Sequence, residues 1–114
     1  MTANLTTLDP DAGYVTIINT YTVAPERAEE LLQTLVRSTN ETLRYVPGFV
    51  SASFHMSLDC TQVVNYSQWL SQEAIKAAGT DPKVVASMKE VGQIADKFTP
   101  ILYKLRDSVA APSA

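Results

Sequence analysis

The chain is predicted to fold as an α+β domain of the ferredoxin-like type, with its elements in the order βαββαβ. Three observations carry that prediction. Short runs rich in β-branched and aromatic residues lie near the start, in the middle and near the end of the 114 residues. Segments with apolar residues three and four apart lie between them, and Pro or Gly marks the changes of period. A chain of this length has room for one domain, which we divide into an arm over residues 1–12, a folded unit over 13–107 and a tail over 108–114.

The segment Tyr14 to Val23 is β-branched and aromatic and stops at Ala24-Pro25, as a strand should. In extended geometry Val15, Ile17, Asn19 and Tyr21 share one face. Pro25 suits the first position of a helix, with Glu26, Glu29 and Glu30 near the positive end of its dipole. Ala28, Leu31, Leu32, Leu35, Val36, Thr39 and Leu43 form the apolar stripe of that helix, and Pro47-Gly48 ends it.

A second strand from about Phe49 to Met56 and a third from about Gln62 to Trp69 form an antiparallel hairpin about a turn on Asp59 and Cys60. Ser71 caps a short helix through Ala78, and Asp81-Pro82 starts another. Val84, Met88, Val91, Ala95 and Phe98 give the apolar face of this last helix, which Pro100 is expected to end, leaving Ile101 to Arg106 as the fourth strand. On the third strand Val64 and Tyr66 lie on one side, and Asn65, Ser67 and Trp69 on the other. Both sheet faces therefore carry large side chains, and the face without helices calls for a second copy: a homodimer is expected.

Composition excludes several classes of function. A net charge of -3 without clustered Lys or Arg gives no footprint for nucleic acid. No apolar run approaches the roughly 20 residues that span a bilayer, and the first residues are polar, so no membrane association and a cytoplasmic location are expected. Cys60 is the only cysteine and His55 the only histidine, so no metal site is expected. His55 falls on the second strand with Phe54 and Met56 on the opposite face. A lone histidine is more often a half-buried structural residue than a base, and both roles stay open.

Asn65 and Trp69 stand on one face of the third strand, about 13 Å apart along it, where both could line a pocket. Asn19 is a polar group among Val15, Ile17 and Tyr21 and must find a hydrogen-bond partner. Spacing alone favours the plainer reading, in which the asparagines satisfy each other or the backbone and Trp69 fills the core.

The stretch Val46-Pro-Gly-Phe-Val-Ser-Ala-Ser-Phe-His-Met-Ser-Leu-Asp59, with Val63-Val-Asn-Tyr-Ser-Gln-Trp69 after it, resembles the antibiotic biosynthesis monooxygenase family. It resembles in particular the cofactor-independent anthrone and naphthacenone oxygenases of aromatic polyketide pathways, from Gly13 to about Arg106. The resemblance implies a dimeric α/β barrel with one cavity per subunit between the sheet and its own helices. It assigns catalytic roles to Asn19, Asn65 and Trp69, with molecular oxygen as co-substrate and neither metal nor organic cofactor. Leu35, Phe49, Val84 and Met88, with His55, are the candidate substrate-binding residues. The sequence departs from the actinorhodin-type branch, which has a tyrosine and an arginine where Ile75 and Met88 align.

The chemistry so implied is oxidation of an anthrone or naphthacenone to the quinone. Loss of one proton gives an electron-rich enolate that itself reduces oxygen, and the protein supplies enolate stabilisation and exclusion of water. Asn19 and Asn65 suit oxyanion stabilisation, and Trp69 suits stacking, with its indole N–H as a further donor. The proton acceptor is open among solvent, superoxide and His55. Haem-degrading relatives place a histidine on the helix after the tryptophan, and residues 71–98 contain none. A quinol-type oxygenase, and a non-catalytic dimer that binds an aromatic ligand or assists cyclisation, are the alternatives.

Overall fold

The computed structural model describes residues 6–113. Its strands are β1 (Val15–Thr22), β2 (Phe49–Met56), β3 (Gln62–Trp69) and β4 (Lys97–Lys104), and its helices α1 (Ala28–Glu41), α2 (Gln72–Ala78) and α3 (Pro82–Gly92). The strands form one sheet in the order β2-β3-β1-β4, with every neighbouring pair antiparallel. This is the ferredoxin-like arrangement expected from the sequence. No helix among the described residues is long and apolar enough to cross a membrane.

Local chemistry sets the element ends. A 3-10 turn at Pro25–Arg27 leads into α1, whose first turn carries Glu29 and Glu30. The helix ends at Glu41, short of the expected Leu43, because Thr42 leaves helical geometry at φ -130 and Leu43–Tyr45 tighten into a second 3-10 turn. The Ser71 hydroxyl accepts from the Ala74 amide at 3.1 Å and caps α2. Asp81 accepts from Lys83 N at 2.8 Å and caps α3, with Pro82 in the first turn. In the turn between β2 and β3 the Asp59 carboxylate accepts from Thr61 Oγ1 at 2.7 Å and Ser57 Oγ at 2.8 Å, and these bonds hold it below the usual carboxylate range.

The end of α3 differs from expectation. The helix stops at Gly92, and Phe98 and Pro100 lie in β4, which begins at Lys97 rather than Ile101. Ala95 and Phe98 continue a helical spacing in the sequence, but the Asp96 amide donates to Thr22 O at 2.8 Å and starts the pairing with β1. Pro100 is tolerated because β4 is an edge strand, where one side of the backbone needs no partner.

The helices cover one face of the sheet, and the core beneath them forms two clusters. Tyr21, Val23, Leu31, Leu35, Val63 and Val91 pack at one end, and Val46, Trp69, Ala78 and Val84 at the other. On the opposite face Thr6 Oγ1 lies 2.6 Å from Ser53 Oγ. There too the buried Gln68 amide donates to Thr7 O at 2.9 Å while accepting from Ser51 Oγ at 2.8 Å. The N-terminal arm thus lies across part of this face, and Ile101 and Tyr103 on β4 stay exposed on it.

Gly48 joins the two layers. Its φ of +88 suits glycine, and a Cβ there would fall on the Ala74 Cβ of α2. Gly48→Ala is expected to lower the unfolding free energy by roughly 2–4 kcal/mol, from left-handed strain plus overpacking. Gly13→Ala, at φ +73 with open space around it, should lose only the strain, about 1 kcal/mol. Urea titration of both variants separates the two contributions, and equal losses would contradict a close contact at Gly48.

Candidate active site

Between the two apolar clusters lies a cavity of about 370 Å³, walled by the sheet on one side and by α1, α2 and α3 on the other. That size suits a small polycyclic molecule. The pairing of β1 with β3 sets its floor: Val15 faces Trp69, Ile17 faces Ser67, Asn19 faces Asn65 and Tyr21 faces Val63. The two asparagines therefore form one rung across the middle of the sheet, with apolar packing at both ends.

Neither carboxamide oxygen of that rung has a hydrogen-bond partner, although both are sealed from solvent. A bond between the two amides would use one of those oxygens as acceptor, so the pair does not satisfy itself as the plainer sequence reading had it. Buried polar groups are nearly always bonded, and these are two exceptions side by side at the floor of a cavity.

Trp69 is 3% exposed and borders the cavity, with Phe49 edge-on to it at 5.4 Å between ring centroids. Its indole N–H, which the sequence reading left available to a substrate, already donates to Ser67 Oγ at 3.2 Å, and Ser67 lies 3.5 Å from Ile17 O. Ser67 is thus a positioning residue that fixes the indole plane. It shares the parity of Asn65 and Trp69, which was its only signal in the sequence. Trp69 thus borders the cavity with its N–H already committed.

Leu35, Val84 and Met88 line the cavity, Val84 buried and Met88 half exposed. Phe49 does not border it and contributes through Trp69. His55 does not reach it: His55 pairs with Val64 on the opposite face of the sheet and is exposed. Ile75 lines the cavity as well, so the helix wall is apolar at both positions where the actinorhodin-type branch carries polar groups.

Tyr21 was legible only as a member of the inward face. It borders the cavity at 8% exposure, its ring stacked on Phe98 at 5.0 Å and 20°, and burial pushes its phenol up to about 12. Asp96 and Lys97 are the other titratable residues of the lining, both exposed. Among the described residues no three His, Cys, Asp or Glu side chains converge as metal ligands would. Cys60 is half-buried at φ +61 in the β2–β3 turn, away from the cavity lining.

Residues 14–90 match the antibiotic biosynthesis monooxygenase family. The chain belongs to that family. Over 80 residues it is 44% identical to tetracenomycin-F1 monooxygenase of Streptomyces glaucescens, covering 70% of this chain and 71% of that protein. The fold is shared with a monooxygenase from the gene ActVA-Orf6 of Streptomyces coelicolor, solved with nanaomycin D bound: TM-score 0.79, 29% identity, 91% of this chain and 96% of the other. SnoaB of Streptomyces nogalater, described as a cofactor-independent oxygenase, has the same fold at 21% identity, with TM-score 0.76 over 87% of this chain and 99% of its own. In this member of the antibiotic biosynthesis monooxygenase family, the asparagine rung and the tryptophan wall lie in one cavity.

Proposed function

We propose that the protein is a cofactor-independent monooxygenase that oxidises an aromatic polyketide anthrone or naphthacenone to its quinone with O2. The observation that carries the reading is the pair of carboxamides, Asn19 and Asn65, paired across the floor of a mainly apolar cavity with their oxygens unbonded. Two relatives support the substrate class by their names, one a tetracenomycin-F1 monooxygenase and the other a monooxygenase holding nanaomycin D.

A polycyclic anthrone enters with its plane against Trp69 and its apolar edge against α1 and α3. The carbonyl oxygen lies at the asparagine rung and accepts from the carboxamide NH₂ groups, which are not among the sealed atoms. Those donors stabilise the enolate formed as the methylene loses its proton to water at the mouth. One electron passes from the enolate to O2, and the substrate radical and superoxide combine at the ring carbon. The resulting hydroperoxide loses water and leaves the second carbonyl. The substrate itself supplies the electrons, so the protein needs neither metal nor organic cofactor.

With purified protein and an anthrone such as dithranol under air, quinone formation is expected to exceed autoxidation and to survive chelation. Asn65→Ala should lower kcat by about 100-fold, the usual effect of removing an oxyanion donor. Trp69→Ala should greatly weaken the acceleration through loss of the wall. An unchanged background rate with several anthrones and naphthacenones would instead favour a binding or cyclisation-assisting role.

The same reading has the protein working as a homodimer, the uncovered sheet faces of two copies meeting. Ile101 and Tyr103, each 46% exposed on that face, support it. Sedimentation is expected to give twice the chain mass, and Ile101→Asp with Tyr103→Asp to give one chain mass. A monomeric wild type at tens of micromolar would contradict the dimer.

A further inference from the structure

Tyr21 stands two residues from Asn19 on the same face of β1, about 7 Å along the strand. Its ring is fixed between Phe98, stacked on it at 5.0 Å, and the apolar cluster of Leu35, Val63 and Val91. The hydroxyl makes none of the side-chain hydrogen bonds of the described residues, and it is not among the oxygens sealed from solvent without a partner. It is therefore accessible and uncommitted in a residue that borders the cavity. Packing does not require it, since the neighbouring Phe98 fills the same layer without one.

We propose that the Tyr21 hydroxyl is a hydrogen-bond donor to the oxygen installed by the reaction, across the ring from the carbonyl held by Asn19 and Asn65. This rests on the reading of the cavity as an aromatic polyketide site and deepens it. The favoured substrates are then polycycles whose ketone and oxidisable methylene lie at opposite ends of one ring. With the carbonyl at the asparagine rung, the methylene faces Tyr21, and the hydroperoxide forms within reach of its O–H. As the O–O bond breaks, the remaining hydrogen of that ring carbon leaves as a proton, and hydroxide departs to become water. The tyrosine holds the oxygen that stays on the ring as it becomes the second carbonyl and keeps its own proton, consistent with a phenol that burial pushes up to about 12.

The chain has one tryptophan, Trp69, so its fluorescence reports cavity occupancy independently of turnover. Wild type and Tyr21→Phe, which keeps the aromatic stack, are titrated without oxygen with 9,10-anthraquinone and with anthrone. The first carries oxygens at both ends of the central ring and the second only one. Tyr21→Phe is expected to weaken anthraquinone binding about tenfold, the size of one hydrogen bond to a buried carbonyl, and anthrone binding less than twofold. Equal losses for both ligands would make Tyr21 a packing residue, and no loss for either would leave its hydroxyl without a role; both overturn the assignment. A wild type that binds neither ligand would overturn the polyketide reading, and this assignment with it.

Discussion

The structure turns on one rung of its sheet. Asn19 and Asn65 stand opposite each other between apolar neighbours, and their buried carboxamide oxygens go unbonded. The helices do not close onto the sheet there in one continuous core. The core instead divides, with Tyr21, Leu31 and Val63 in one cluster and Val46, Trp69 and Val84 in the other. The helices bridge the gap, and the gap is the cavity.

The carboxamides of the lining come from the sheet, while the helix wall is mainly apolar, with Leu35, Ile75, Val84 and Met88 beside the hydroxyls of Ser38, Thr39 and Ser87. That division suits a flat hydrocarbon skeleton with oxygens along one line. The sheet side is also the rigid side. Ser67 holds the Trp69 indole, Phe49 abuts it edge-on, and the Gly48–Ala74 contact presses the start of β2 against α2. An oxyanion site gains its effect from donors already in place before charge develops, and a strand floor provides that better than a loop.

Much of this was legible in the sequence because strand periodicity is two. The parity of Val15, Ile17, Asn19 and Tyr21, and of Asn65, Ser67 and Trp69, assigned each residue to its face, and the Ser71 and Asp81-Pro82 caps placed two helix starts. The pairing of Asn19 with Asn65 was not legible, since register between strands more than forty residues apart is set by tertiary packing. Nor was the end of α3: Ala95 and Phe98 keep a helical spacing, but Ala95 lies between helix and sheet while Phe98 pairs with Tyr21 in β4. His55 was drawn into the candidate site by its chemistry alone, and its parity sends it to the other face.

The central claim is that the asparagine rung serves a ligand at the expense of the fold. Thermal and urea unfolding of Asn19→Leu and Asn65→Leu without ligand tests it most directly, because leucine has nearly the shape of asparagine and no polar atoms. If the rung exists for substrate, each replacement removes an unsatisfied buried amide and raises the unfolding free energy by about 1–2 kcal/mol. A loss of similar size in both variants would mean that the amides hold the sheet together, and would contradict the account.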